Sequence, residues 1–147
     1  MSTTEAENKA QLRRIYEEMF NQGNLVIADE LIAPDFFNHE DPPGMNSRGP
    51  ESARQVVMML RTAFPDLHYT IEELVAEGDM VACRMTMSGT HQGPLMGIAP
   101  TGRSVRQQAQ MHFVRFRYGK VIEHWAVRDD LGIMRQLGVI PVPANAQ

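Results

Sequence analysis

Cysteine occurs once, at Cys83, in a chain of 147 residues. A single thiol forms no intramolecular disulfide and no multi-cysteine metal site, so a reducing, cytoplasmic setting is expected. A basic excess is missing as well: 14 Lys and Arg stand against 18 Asp and Glu, a net charge of −4. That balance offers nothing to a phosphate backbone and argues against nucleic acid as a partner. No apolar run approaches the roughly 20 residues that span a membrane, and residues 1–11 lack the basic and apolar regions of a signal peptide. A soluble, unprocessed protein with no membrane partner is expected. Gly-rich phosphate loops, HExxH and Gly-x-Ser-x-Gly are all absent, which disfavours nucleotide cofactors and a serine nucleophile. No two histidines have the i, i+4 spacing of helical metal ligands, so neither a metal nor another cofactor is expected. Aromatics make up only 7% of the chain, whereas methionine occurs 11 times. Soft, adaptable apolar surface takes their place.

The length fits one domain, 1–147, with residues 1–8 and 141–147 expected to be loosely ordered at its ends. Leu12, Ile15, Tyr16, Met19 and Phe20 recur on one helical face that stops at Asn21–Gly23. Asn24 can cap a second helix with Leu25, Ala28, Leu31 and Ile32 inward, ended by Pro34. A third begins near Pro50, buries Ala53, Val57, Leu60 and Phe64, and stops before Pro65. From Leu67 the period falls to two. Val81, Cys83, Met85 and Met87 line one face of the clearest strand, with Arg84, Thr86 and Ser88 on the other. Segments 104–118 and 121–129 flank a hairpin turn at Tyr118–Gly119, and a last short helix follows from Leu131, capped by Asp129 or Asp130. The expected class is α+β: a cone-shaped barrel of strongly curved, mostly antiparallel sheet against three N-terminal helices, with a short C-terminal helix. Both faces of the 104–129 hairpin carry apolar residues. Helices cover one, and a second copy of the sheet would cover the other, giving a homodimer.

His112 lies mid-strand with Gln108 and Gln110 on its face, as a cavity wall or as a structural histidine bonded to backbone. His91 ends the Met85–Met87 face, at the cavity mouth or in a solvated loop. Asn38 and His39 follow Phe36–Phe37 as rim residues or part of a capped turn. Phe64, Met85, Met87 and Met96, with Phe20, can shape an apolar cavity for a flat ring, or simply fill core. A strict two-residue turn at Tyr118–Gly119 sets His112 opposite Trp125. A three-residue loop with Gly119 in a bulge sets it opposite Ala126, near His124 and Arg128. The second register is preferred, because it gathers Gln110, His112, His124 and Arg128 on one face and turns Trp125 to the dimer side.

Read together, Phe64–His68, Ala76–Ala82, Gly89–Gly93, Met96–Arg103, Gly119–Trp125 and Leu131–Val139, with Asn38–His39–Glu40, resemble the SnoaL-like polyketide cyclase family over nearly the whole chain. The resemblance implies the nuclear-transport-factor-2-like cone and a cofactor-independent enzyme that closes a polyketide ester ring by intramolecular aldol condensation. It puts the family's pocket histidine at His112. The cyclases usually carry an Asp directly after the His-Trp pair, where this chain has Ala126. The leading expectation is therefore an enzyme acting on an apolar small molecule. His112 serves as acid/base and Arg128 or His124 polarises a carbonyl, while Tyr16, Asn38, His39 and His91 orient the substrate. A cofactorless hydroxylase or isomerase, or a noncatalytic binding domain, is the alternative that Ala126 raises.

Overall fold

The computed structural model describes residues 3–41 and 44–144. Helix α1 (Thr3–Arg14) runs directly into a π-helical segment (Ile15–Phe20). The wider turn is visible where the Asn21 N–H reaches the Tyr16 carbonyl, five residues back, at 3.0 Å. Helix α2 (Val26–Leu31) leads straight into strand β1 (Ile32–Asn38), and helix α3 covers Gly49–Ala63. Strands β2 (His68–Glu77), β3 (Met80–Thr90), β4 (Ser104–Arg117) and β5 (Lys120–Arg128) follow, then helix α4 (Asp130–Gln136).

The five strands form one sheet in the order β1-β5-β4-β3-β2. Neighbours are antiparallel except β1, which runs parallel to β5. This α+β arrangement departs from the expected one in two respects. The sheet is open, with β1 and β2 as edges, so the cone is curved but not a closed barrel. The N-terminal half holds four helical segments rather than three, because the first helix changes its winding at Ile15. Smaller differences concern local signals. Residues 3–8, expected to be loose, are helical, and 1–2 lie outside the described residues. Leu25 rather than Asn24 caps α2, without a side-chain bond, and Ile32 already belongs to β1. At the other end, the tail expected to be loose from 141 has no helix or strand through 144, and 145–147 are likewise outside the described residues.

Alternation places the core. Val81, Cys83, Met85 and Met87 are all at most 2% exposed, and meet Leu12, Ile15 and Met19 of the first helix and Val57 and Phe64 of the third. Two one-residue irregularities interrupt the alternation where it matters. In β4 the pairing shifts between Met87↔Gln108 and Gly89↔Val105, and Gln107 takes a positive φ of 51°. In β5 it shifts between Arg115↔Glu123 and Phe116↔Val121, leaving Ile122 as the extra residue. The hairpin itself is of the two-residue kind, with Arg117 paired to Lys120 and with positive φ at both Tyr118 (52°) and Gly119 (76°). His112 is still opposite Ala126. The register is the one preferred from the sequence, but its cause is the Ile122 bulge and not a longer turn. Trp125 accordingly pairs with Phe113 on the outer face, where Met111, Phe113 and Val127 are 59%, 52% and 77% exposed.

Two glycines hold the end of β3 and the loop after it against the end of α3. A Cβ at Gly89 would stand 2.9 Å from Phe64 Cβ, and one at Gly93 would run into the Thr62 carbonyl. Backbone cannot swing aside as a side-chain tip can. Gly93→Ala is expected to lower stability by about 1–3 kcal/mol, seen as a lower urea midpoint at unchanged slope.

Candidate active site

The concave face of the sheet and the helices lying over it enclose two adjoining hollows. The inner one, about 60 Å³, is mainly apolar, with Leu12, Ile15, Met19, Phe20, Val114 and Leu60 around Tyr16, His112, His124 and Arg128. The outer one, about 210 Å³, is more polar: Gln108, Gln110, Asp41 and Arg128 face Phe64, Met87, Leu95 and Met96. Asn38, Val56, Leu60, Tyr69 and Arg128 belong to both walls.

The π-helical segment places Tyr16. Just beyond it, the Asn21 side chain imitates a strand, donating to the Tyr69 carbonyl at 2.9 Å and accepting from the Tyr69 N–H at 2.7 Å. Tyr16, Phe20 and Tyr69 consequently pack as an aromatic cluster. The ring centres of Tyr16 and Phe20 are 5.1 Å apart. Tyr69 lies 5.4 Å from each of them. Tyr16 also meets the His112 ring edge-on at 5.4 Å. The Tyr16 hydroxyl is 3.0 Å from His112 Nδ1.

Backbone groups decide which ring nitrogens carry protons. The Glu40 N–H donates to Asn38 Oδ1, which fixes the amide, so that oxygen also accepts from His124 Nδ1–H at 2.7 Å. At the opposite end Gln108 Nε2 donates to the Asp129 carbonyl, its Oε1 accepts from Gln110 Nε2, and Gln110 Oε1 is left to accept from His112 Nε2–H at 2.8 Å. Both outer nitrogens are therefore donors. The inner nitrogens, His112 Nδ1 and His124 Nε2, face each other at 2.7 Å. In neutral rings these are two lone pairs, and the Tyr16 hydroxyl is the donor within reach of the first. A proton placed between them would be shared by both rings. Burial opposes that charge most strongly: it holds His112 well below the ordinary imidazole value, helped by the neighbouring His124 and Arg128. His124 is pushed down to about 3 by burial, then by Arg128 and His39. Geometry invites a proton and electrostatics expels it, which makes the pair a transient proton carrier.

The Arg128 side chain has no hydrogen bond or ion pair among the described residues, although it borders both hollows. Its charge is free for a ligand oxygen. The hydroxyls of Tyr16 and Tyr69 are both held protonated by burial.

The structure brings His112, His124, Arg128, Tyr16, Phe20 and Asn38 around the inner hollow, and Phe64, Met87, Met96 and Gln110 around the outer one. Three sequence-derived positions fall elsewhere. Met85 is fully buried core and lines neither hollow. His39, expected at the rim, lies on the outer face, stacked on Trp125 at 4.6 Å and paired with Glu123 at 3.0 Å. The reason is alternation: it follows Asn38, whose side chain points in. His91, expected at the mouth, is wholly buried, where Nδ1 accepts from the Thr101 N–H at 3.2 Å and lies 3.1 Å from the Thr101 hydroxyl. It ties down the 91–103 loop. Tyr69 and Asp41 were not anticipated as lining. Tyr69 could have been found from its alternation with Leu67 and Ile71, whereas Asp41 sits in a loop that carries no period.

The model of the SnoaL-like polyketide cyclases matches residues 10–137. The chain belongs to the SnoaL-like polyketide cyclase family. This family member is 33% identical over 121 residues to a nogalonic acid methyl ester cyclase of Streptomyces nogalater, covering 81% of this chain and 89% of the relative. It is 32% identical over 135 residues to an aklanonic acid methyl ester cyclase of Streptomyces galilaeus, covering 90% and 92%. Among solved structures, TsrD from Streptomyces laurentii superposes with a TM-score of 0.84 at 28% identity, over 95% of this chain and 99% of that one. AclR of S. galilaeus, a proposed hydroxylase, gives 0.80 at 32% identity, over 95% and 87%. The fold of this SnoaL-like chain is thus shared with a proposed hydroxylase, while its sequence is similar to that of ester cyclases.

The depressed His124 pKa makes stability depend on pH. The unfolded chain takes up a proton on this ring near pH 6.5, whereas the folded protein resists until about pH 3. Between those values the unfolded state binds more protons, so stability falls as pH drops through the window. His124→Asn removes that titration. Urea unfolding at stepped pH should show a shallower acid-side loss for the variant than for the wild type, and equal slopes would contradict the assignment.

Proposed function

We propose that this protein is a cofactor-independent enzyme that carries out acid–base chemistry beside a carbonyl of a polyketide-like ring system, in the manner of the ester cyclases it resembles. The observation that carries the reading is the contact of Tyr16, His112 and His124 inside an apolar hollow, with the unpaired Arg128 cation at its edge. In ring closure by aldol addition, one carbonyl oxygen accumulates charge as the new bond forms. Tyr16, whose hydroxyl rests against the His112 Nδ1 lone pair, is placed to turn its one proton from that nitrogen to the developing oxygen. Arg128 polarises the other carbonyl, an interaction strengthened where water is excluded. The reacting portion of the substrate lies where the two hollows meet at Arg128, with its small end in the inner one and its flat body in the outer one, softened by Met59, Met87 and Met96. The lone buried Cys83 fits work in the reducing cytoplasm.

Ala126 favours a second reading. It faces His112 where the cyclases carry Asp, so a hydroxylase, an isomerase or a binding protein that kept the cavity is the rival. Aklanonic acid methyl ester, followed by chromatography and mass spectrometry, separates them. Turnover should be present in the wild type and fall about a hundred- to ten-thousand-fold in His112→Ala. Ala126→Asp should raise cyclisation in an enzyme and merely weaken ligand affinity in a dedicated binder. An unconverted ester, or a His112→Ala protein as active as the wild type, removes the cyclase reading.

We also propose a homodimer through the outer sheet face, where Met111, Phe113 and Val127 are exposed around Trp125. Sedimentation of the wild type at micromolar concentration should give a dimer, and Phe113→Asp a folded monomer; a monomeric wild type refutes this arrangement.

A further inference from the structure

Ala126 gives β5 no carboxylate opposite His112, yet a carboxylate borders the outer hollow from another element. Strand β1 runs parallel to β5 and ends with Asn38 beside His124. There the loop turns, and the Asp41 side chain folds back over the site. One of its oxygens accepts a hydrogen bond from Asn38 Nδ2, and the other accepts from the Ser52 hydroxyl of α3 at 2.9 Å. Ser52 is wholly buried, so this arm of the anchor is rigid. Asp41 lines the outer hollow with Gln108, Gln110 and Arg128. Asn38 thus has one amide group on His124 and the other on Asp41, and holds both to one frame.

Resting on the acid–base reading above, we propose that Asp41 is the catalytic base, supplying from the β1–α3 loop the carboxylate that Ala126 leaves out of β5. A carboxylate oxygen takes the proton from the carbon next to a substrate carbonyl: the C–H bond breaks, an O–H bond forms, and the electron pair moves onto the carbonyl oxygen beside Arg128. The enolate carbon then bonds to the carbon of the second carbonyl. The oxygen of that second group takes the Tyr16 proton. The proton on Asp41 passes to solvent as Tyr16 regains one, so the cycle ends with no net proton gained or lost. The charged groups that share the outer hollow with this carboxyl come from several sides: Arg128 on β5, Asp130 at the start of α4, and Glu40 next to it on the chain. Burial raises its pKa, while Ser52, Ser47, Asn38 and the Arg128 charge pull it back down. A carboxylate made more basic in this way is better matched to proton removal near neutral pH.

The test uses the full-length protein and aklanonic acid methyl ester as probe, with circular dichroism confirming that each variant is folded. Asp41→Asn should lower kcat/KM about a hundred- to ten-thousand-fold and abolish the acid limb of its pH profile. Asp41→Asn combined with Ala126→Asp should recover at least tenfold of that loss. Ser52→Ala keeps the carboxylate and removes a bond that favours its charged form, so it should move the acid limb to higher pH. Should Asp41→Asn fold poorly, this second variant decides alone. An active wild type with an equally active Asp41→Asn variant, or an acid limb unmoved by Ser52→Ala, overturns the role of Asp41 and leaves the function standing. An inert wild type overturns both.

Discussion

Two imidazoles beneath an apolar roof, His112 buried and His124 half-buried, need partners for their nitrogens, and much of the surrounding structure follows from that demand. An unsatisfied buried polar group costs about 1–3 kcal/mol, and among the described residues three of the four ring nitrogens are tied into a network, with His124 Nε2 left facing the lone pair of His112 Nδ1. The network here begins and ends on backbone: the Glu40 N–H at one end and the Asp129 carbonyl at the other. The first anchor lies just past β1 and the second just past β5. Both chain segments leaving the sheet are therefore tied to the site by the same hydrogen-bond chain that sets the ring tautomers. The one junction without a proton of its own is the inner pair of nitrogens beside Tyr16. That is where the fold concentrates its chemical reactivity.

Placing those groups on one face required two departures from regular pleating. Side chains in a strand alternate with period two, so one extra residue exchanges the faces of everything beyond it. The bulge at Gln107 aligns Gln108, Gln110 and His112 with the core residue Val105. The bulge at Ile122 brings His124 and Arg128 to the same side and sends Trp125 outward. Without the second, Trp125 would stand opposite His112 in the hollow and His124 would lie outside. The change of winding in the first helix has a comparable effect, since the π-helical turn carries Tyr16 to the pair.

The parts of the fold that were legible are those with a long repeat. The helical faces of Leu12–Phe20 and Ala53–Phe64 and the alternation of Val81–Met87 each commit several residues to the same side, and the core is built from them. The grouping of Gln110, His112, His124 and Arg128 was also legible, because only one register unites polar residues that are costly to bury separately. Barrel closure was not, since it depends on how far the sheet curls, and nothing in the order of residues measures that. His91 and His39 were misplaced for a related reason: each follows a strand, where alternation ends or the next contact is made with a distant loop.

By itself the sequence determined the residue types, the α+β succession, the apolar faces and, through its motifs, the family. The tertiary structure alone decided the chemistry of individual atoms. Tyr16 and His112 are 96 positions apart, Asn38 and His124 86, and each bond depends on how separate elements settle in space. Periodicity reports which way a side chain points within its own element and is silent on what comes to meet it. Ala126 reads in the sequence as a missing carboxylate; only the folded chain brings Asp41 into the wall of the outer hollow with Arg128.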